Sequence, residues 1–418
     1  MDRSLWAVLA GTFTLRFSTG LTGAMLAVYL AALPKHGGQP VDPIVVGLFA
    51  ATFYVAELVL SPVFGILSDR LGHHRVMLYG PAFGAVAVIL TGLTTNLWIL
   101  GGTRWLEGAS TAASIPSILG FIAVVTAGDE ALRGKMAARF EGATLLGIGA
   151  GFAAAPVTFA LLGPTAFFVN AVIYGISFLI FRTVRDPDGE AAAARAPHVG
   201  FGRYVELLRT GHVWLLAPTW IAVNASIGLW FSQSIFQFAK ANPKFPDQAL
   251  MRGFSAPQIS AAAVVIGIVF GLGLLYWGNR FRNTRRTTII LYGIIGGGGL
   301  VLAGLVVNHG AGLPLAALAG AGLIAVLGLF VMAGATPAAL GLLADVSERF
   351  PNDRGAIMGL YSVFLAVGQI IGALIGGIAA DVRGIDGMLV ATAVMLLIAL
   401  LPLSLLRRDE DALGAVAA

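Results

Sequence analysis

Cysteine is absent from the 418 residues, which excludes disulfides, thiolate metal sites and a cysteine nucleophile. Charge is also scarce. Asp, Glu, Lys and Arg make up 11% of the chain, against roughly 25% in a soluble domain. A water-soluble enzyme, a disordered chain and a nucleic-acid-binding domain are ruled out, despite the net charge of +5. The six histidines (His36, His73, His74, His198, His212, His309) all lie in or beside polar stretches, which argues against a buried haem or zinc centre. The chain has no HExxH helix and no G-x-x-x-x-G-K-[ST] loop, so neither metalloprotease chemistry nor ATP-driven pumping is indicated. No catalytic residue, metal ligand or cofactor is expected.

What is abundant is apolar surface. Hydrophobic residues reach 57% and glycines number 55, with a mean hydropathy of +0.87. A membrane helix needs about 20 apolar residues, so twelve would use roughly 240. Runs bounded by charges, Pro or Gly-Pro lie near 5–33, 44–68, 76–94, 97–127, 134–162, 165–181, 213–238, 259–277, 287–307, 313–344, 355–380 and 388–406. The expected fold is all-α and integral to the membrane, with twelve transmembrane helices. The first run is too long for a cleaved signal peptide and lacks a small-residue cleavage pattern. Of the 26 Lys and Arg, 18 fall on the N-terminal side of the membrane. Five (Lys35, Lys240, Lys244, Arg252, Arg383) fall on the other, and three (Arg16, Arg104, Arg139) lie inside spans. That bias places both termini in the cytoplasm of a cell membrane, and it accounts for the basic surplus without an acidic partner.

A polar stretch, 182–212, separates six spans (1–181) from six more (213–418). The halves are related. At an offset of 221, Pro116, Leu119, Gly120, Arg133, Gly134, Gly147 and Gly151 meet Pro337, Leu340, Gly341, Arg354, Gly355, Gly368 and Gly372. Repeated six-helix bundles of this pseudo-symmetric kind mark transporters whose site lies between them and opens to each side in turn. One chain suffices for such a device, so a monomer is expected.

Between spans 2 and 3 stands Gly65-Ile66-Leu67-Ser68-Asp69-Arg70-Leu71-Gly72-His73-His74-Arg75. This closely resembles the G-x-L-x-D-R-x-G-R-R signature of the major facilitator superfamily, with His73 and His74 replacing family basic residues. A worn second copy places Asn279, Arg280 and Arg285 opposite Asp69, Arg70 and Arg75. The resemblance implies a conformational latch made by Gly65, Asp69, Arg70, Gly72 and Arg75. The Asp69 carboxylate would accept hydrogen bonds from the positive start of the eleventh helix, near Gly355.

Charges inside a membrane cost roughly 2.5–3.5 kcal/mol or more at the helix centre. Six occur within spans: Arg16, Glu57, Arg104, Glu107, Arg139 and Glu141, all in the first half. Arg104 and Glu107 share a helix face, whereas their second-half counterparts are Ala325 and Gly328. The stretch Arg104-Trp105-Leu106-Glu107-Gly108 resembles the family's fourth-helix R-x-x-x-G motif, implicated there in proton transfer. Glu57 and Glu107 are therefore the candidate proton carriers, with Arg104 and Arg16 as modulators; static ion pairs are the alternative. By their depth, Arg104 and Arg139 are near enough to a surface to snorkel, while Glu141 points away from Arg139. The chain resembles the drug/proton antiporter-like branch, although span 5 lacks that branch's Gly-Pro pair. The span 5 glycines are expected to pack against Gly267 and Gly271 of span 8.

By the same resemblance, spans 1, 4, 7 and 10 line the cavity. Candidate lining residues are Arg16, Phe17, Asn224, Trp230, Gln233, Gln237 and Thr336, a mixture suited to an amphipathic organic solute. Proton-coupled export of a small organic solute is the leading reading. An uncoupled facilitator, a proton symporter for uptake, and a membrane-embedded sensor or enzyme are the alternatives.

Overall fold

The computed structural model describes residues 3–126, 128–184, 213–280, 284–348 and 354–414, and every regular element among them is helical. Spans 1, 2 and 4 are Arg3–Ala32, Pro43–Leu71 and Leu97–Val125; spans 5 and 6 are Glu130–Leu162 and Ala166–Arg182. Spans 7, 8 and 9 are Val213–Ala239, Ala256–Gly278 and Arg286–Asn308. Spans 11 and 12 run through Arg354–Gly414, divided where Arg383 and Gly384 leave the helical conformation. Gly384 has φ +58°, a value that a side chain would strain.

Nine helical segments among the described residues are long and apolar enough to cross a membrane. Two of them, Lys135–Arg182 and Ser362–Arg408, have 48 and 47 residues and cross twice. Span 7, at 27 residues, is about 40 Å long and completes the twelve.

Two expected runs are divided. Span 10, read as 313–344, is two helices, Leu315–Met332 and Ala335–Glu348, joined through Ala333 and Gly334. Pro337 has no N–H to give the Ala333 carbonyl, which removes the hydrogen bond that would carry the helix through. A Cβ on Gly334 would lie 2.7 Å from Trp277 and 2.9 Å from Ile289, so the joint is packed against spans 8 and 9. Span 3, read as 76–94, is a short helix, His73–Met77, followed by Tyr79–Leu93.

The described chain divides into two compact units. One comprises Met1–Val41, Leu48–Pro197 and Ser255–Val264; the other comprises Asp42–Gly47, His198–Phe254 and Val265–Ala418. Each has its own buried apolar centre. Tyr29, Phe159 and Phe167 form ring contacts in the first. Trp220, Ile289, Leu343, Phe364 and Leu396 belong to one buried cluster in the second.

Inside each unit the same helix pair is clamped by the same backbone positions. A Cβ on Gly147 would meet Phe13 O at 2.7 Å and Arg16 Cβ at 2.9 Å, so span 5 packs directly on span 1. A Cβ on Gly368 would meet Ile221 O at 2.7 Å and Asn224 Cβ at 2.5 Å, so span 11 packs on span 7. Gly151 abuts Phe17 O, and Gly372 abuts Ala225 O. Gly20 of span 1 abuts Ile148, as Gly228 of span 7 abuts Gln369. Spans 5 and 11 match at the offset of 221, and spans 1 and 7 at 208. The expected partners of the span 5 glycines are therefore wrong. Among the described residues, Gly267 and Gly271 have nothing within 4 Å of an added Cβ, and the close approach to Gly147 and Gly151 is made by span 1.

Candidate functional site

The first unit holds its charges where the glycines bring helices together. Arg16 is 5% exposed, because Gly147 lets span 5 approach its Cβ. Its Nη1 donates to Thr111 Oγ1 at 3.4 Å, tying span 1 to span 4. Two carboxylates act on it electrostatically, Glu57 from span 2 and Glu141 from span 5. Both are half-buried. Carboxylates from two other helices thus lie within electrostatic range of one guanidinium.

One turn of span 4 carries the second charge group. Arg104 is 7% exposed and Glu107 1%. Arg104 Nη1 donates to Glu107 Oε2 one turn on, and the guanidinium lies 4.9 Å from the centre of the Phe53 ring. Span 2 comes this close because Gly108 packs on Phe53 O and Ala56. The other carboxylate oxygen, Glu107 Oε1, is buried and has no hydrogen-bond partner among the described residues. Arg104 therefore does not snorkel to a surface. Arg139, half-buried, stands 5.7 Å from the Trp6 ring.

The loop after span 2 turns on Gly72, at φ +93° and ψ 136°, whose N–H donates to Ser68 O at 3.0 Å. A side chain would be strained there. Gly65 has room to spare, since an added Cβ would meet only Pro116, at 3.8 Å. Asp69 is half-buried, and Arg70 and Arg75 are exposed. His73 Nδ1 lies 3.3 Å from Ser68 Oγ, and His74 Nε2 lies 3.0 Å from Phe181 O at the end of span 6. The two imidazoles thus tie the loop to its own bundle. Residues 349–353, which precede the eleventh helix, lie outside the described residues, as do the side chains near Gly355. In the worn second copy, Asn279 donates to Leu275 O at 3.1 Å on its own helix. Arg280 stacks 5.1 Å from the Tyr276 ring centre.

The polar residues of span 7 are hydrogen-bonded within the second unit. Asn224 donates to Trp220 O at 2.9 Å, and Trp230 Nε1 to Thr392 Oγ1 of span 12 at 3.0 Å. Gln233 Nε2 reaches Pro43 O at 2.9 Å, and Gln237 donates to Gln233 Oε1 at 3.3 Å. Thr336 and Phe17 are half-buried, the latter 6.4 Å ring to ring from Phe13. Gln369, which the sequence analysis did not single out, is 6% exposed, and its Oε1 is buried without a hydrogen-bond partner among the described residues. The link between Glu141 and Arg16 was also missed. Its signal was the Gly147 register, which sets span 5 on span 1, rather than any spacing within span 5.

A family model described as the Major Facilitator Superfamily matches residues 8–333 and 310–417. The chain belongs to this superfamily. It is 26% identical over 346 residues to Multidrug resistance protein 1 of Bacillus subtilis (strain 168), covering 81% of each chain. It is 24% identical over 403 residues to Quinolone resistance protein NorA of Staphylococcus aureus (strain MSSA476), covering 92% of this chain and 91% of the relative. The solved structure of nucleoside transporter NupG matches with a TM-score of 0.69 at 13% identity, over 96% of this chain and 98% of that one. Peptide transporter POT in complex with sulfate matches at 0.68 and 16%, over 98% and 95%. At these identities the structures speak for the fold alone. As a member of the superfamily the chain is a multi-pass membrane transporter of small molecules and not an enzyme.

Proposed function

We propose that this transporter exports a small amphipathic organic solute in exchange for protons, as a monomer with both termini in the cytoplasm. It works by alternating access, with the halves 1–181 and 213–418 joined by the linker 182–212. The observation that carries the coupling is the meeting of buried carboxylates and guanidinium groups inside the membrane. Arg104 donates to Glu107, whose other oxygen is buried without a hydrogen-bond partner among the described residues, and Glu57 and Glu141 lie within electrostatic range of Arg16. That second Glu107 oxygen is a place for a proton, and moving one Arg away from its Glu changes how many protons the group holds. Glu57 and Glu107 are the proton carriers, with Arg104 and Arg16 setting when each is released. Export rather than uptake is supported by the resistance proteins among the relatives.

Asp69, with Arg70, Arg75 and the turn at Gly72, acts as the cytoplasmic latch. The solute-facing residues are Arg16 and Phe17 in the first half and Asn224 and Thr336 in the second, with Trp230, Gln233 and Gln237 shaping the second half's surface through the bonds described above.

The test is transport in proteoliposomes with a panel of amphipathic aromatic solutes. An imposed pH gradient should drive accumulation against the solute gradient, and Glu107→Gln should abolish it while leaving solute–solute exchange intact. A wild-type protein that only equilibrates the solute would refute proton coupling.

A further inference from the structure

The second unit brings together three side chains that the transport mechanism does not use. Asp247 lies in the loop between spans 7 and 8, His309 directly after span 9, and Asp386 just past the turn between spans 11 and 12. One ligand atom from each falls within 4.8 Å of the others. His309 Nε2 lies 3.0 Å and 2.8 Å from the two Asp386 oxygens. On its other edge, His309 Nδ1 lies 3.9 Å from Asp247 Oδ2. His309 thus stands between two carboxylates, a donor set that a divalent cation can draw together.

We propose that Asp247, His309 and Asp386 form a binding site for a divalent transition-metal ion of the Zn²⁺ type. By the distribution of Lys and Arg, it lies on the outer end of the second half. One imidazole nitrogen and two carboxylate oxygens, with water in a fourth position, make a four-coordinate borderline-soft set. Mg²⁺ and Ca²⁺ favour six or more oxygens and are poorly served by it. Two ionised carboxylates balance the charge of the ion.

The surroundings are built to hold the ligands. Asn308 Nδ2 donates to Asp386 Oδ1 at 2.8 Å, while Asn308 Oδ1 accepts from Leu250 N at 3.0 Å. Gln248 Oε1 accepts from Ile385 N at 2.9 Å and Asp386 N at 3.4 Å, and its Nε2 donates to Arg383 O at 2.9 Å. Metal-site carboxylates and imidazoles are characteristically oriented by such outer partners. Lys244, one of three cations in the same loop with Lys240 and Arg252, is engaged with Asp381 O at 2.9 Å. Asp247 has a side chain 66% exposed and can close the remaining gap. Tetrahedral Zn²⁺ sites need ligand atoms about 3.4 Å apart. A bound ion would clamp the loop between spans 7 and 8 to the ends of spans 9 and 11.

The experiment is calorimetric titration of the purified, chelator-treated full-length protein with ZnCl₂, MgCl₂ and CaCl₂, with thermal unfolding in parallel. One Zn²⁺ should bind per chain, raise the unfolding temperature by mass action, and compete at least tenfold better than Mg²⁺ or Ca²⁺. Asp247→Asn should lower Zn²⁺ affinity at least tenfold without changing the metal-free unfolding temperature, since that side chain is exposed. His309→Gln should remove binding, and His36→Gln should retain it. Zn²⁺ affinity that is undetectable, or equal in wild type, Asp247→Asn and His309→Gln, would overturn the site. Equal binding of Mg²⁺ would overturn its assignment to a transition metal.

Discussion

The two halves share a scaffold and differ in what it encloses. Span 5 meets span 1, and span 11 meets span 7, through glycines set against the same backbone positions. The side chains beside those contacts have diverged completely. Arg16 corresponds to Asn224, Thr111 to Met332, Arg104 to Ala325 and Glu107 to Gly328. The last pair is the most instructive. Glu107 brings a carboxylate to the inside of span 4, whereas a Cβ on Gly328 would lie 2.5 Å from Gly296 O. The second half has closed that space with backbone. Helix approach is limited by the backbone, which tolerates little change. Interior side chains are limited only by volume and charge balance, so one copy could acquire ionisable groups while the other did not.

The largest test of this contrast removes one partner of a buried pair. Arg104→Ala leaves Glu107 buried and uncompensated, which should cost about 3–5 kcal/mol. The matching second-half change, Ala325→Ser, should stay within about 0.5 kcal/mol. Thermal unfolding in detergent separates the two, and similar losses would mean that the charges are no more structural than their neutral counterparts.

Next in size are the shared clamps. Gly151→Ala and Gly372→Ala each force a methyl group onto a carbonyl of the facing helix and should cost about 1–3 kcal/mol. The two losses should agree to about 0.5 kcal/mol, since the contacts are equivalent and independent. A large loss in one half alone would break the claim of a common scaffold.

A functional comparison sets the two loop copies against each other. Asp69→Asn should slow transport severalfold with little loss of thermal stability, while Asn279→Ala should leave the rate nearly unchanged. Transport assays on both variants at equal expression decide it, and equal effects would remove the latch from Asp69.

The smallest effect concerns span 7. Trp230→Phe deletes the Trp230–Thr392 hydrogen bond, worth about 0.6 kcal/mol between membrane helices. If Trp230 also shapes the pocket, solute affinity falls by more than stability does, and equal small changes would make it a purely structural residue.

Much of this was legible in the residues alone. Twelve crossings follow from hydropathy, because each backbone polar group in lipid must be satisfied within its own helix. The duplication showed in glycines that recur at one offset. The breaks within spans 3 and 10 did not show, because hydropathy averages over a joint such as Ala333-Gly334 as if it were helix. The span 8 glycines misled for a related reason. Gly267 and Gly271 have the spacing of a packing face, but spacing does not say which helix, if any, comes to it.

By itself, then, the sequence determined the medium, the number of crossings and the confinement of buried charge to the first half. These depend on composition and on neighbours along one helix. Only the tertiary structure decided that Glu57 and Glu141 come within electrostatic range of Arg16, that one Glu107 oxygen has no hydrogen-bond partner among the described residues, and that Asp247, His309 and Asp386 converge. Those pairings depend on how far each helix is rotated about its own axis and on which backbone a glycine admits. Neither quantity is written in the order of residues along a single helix.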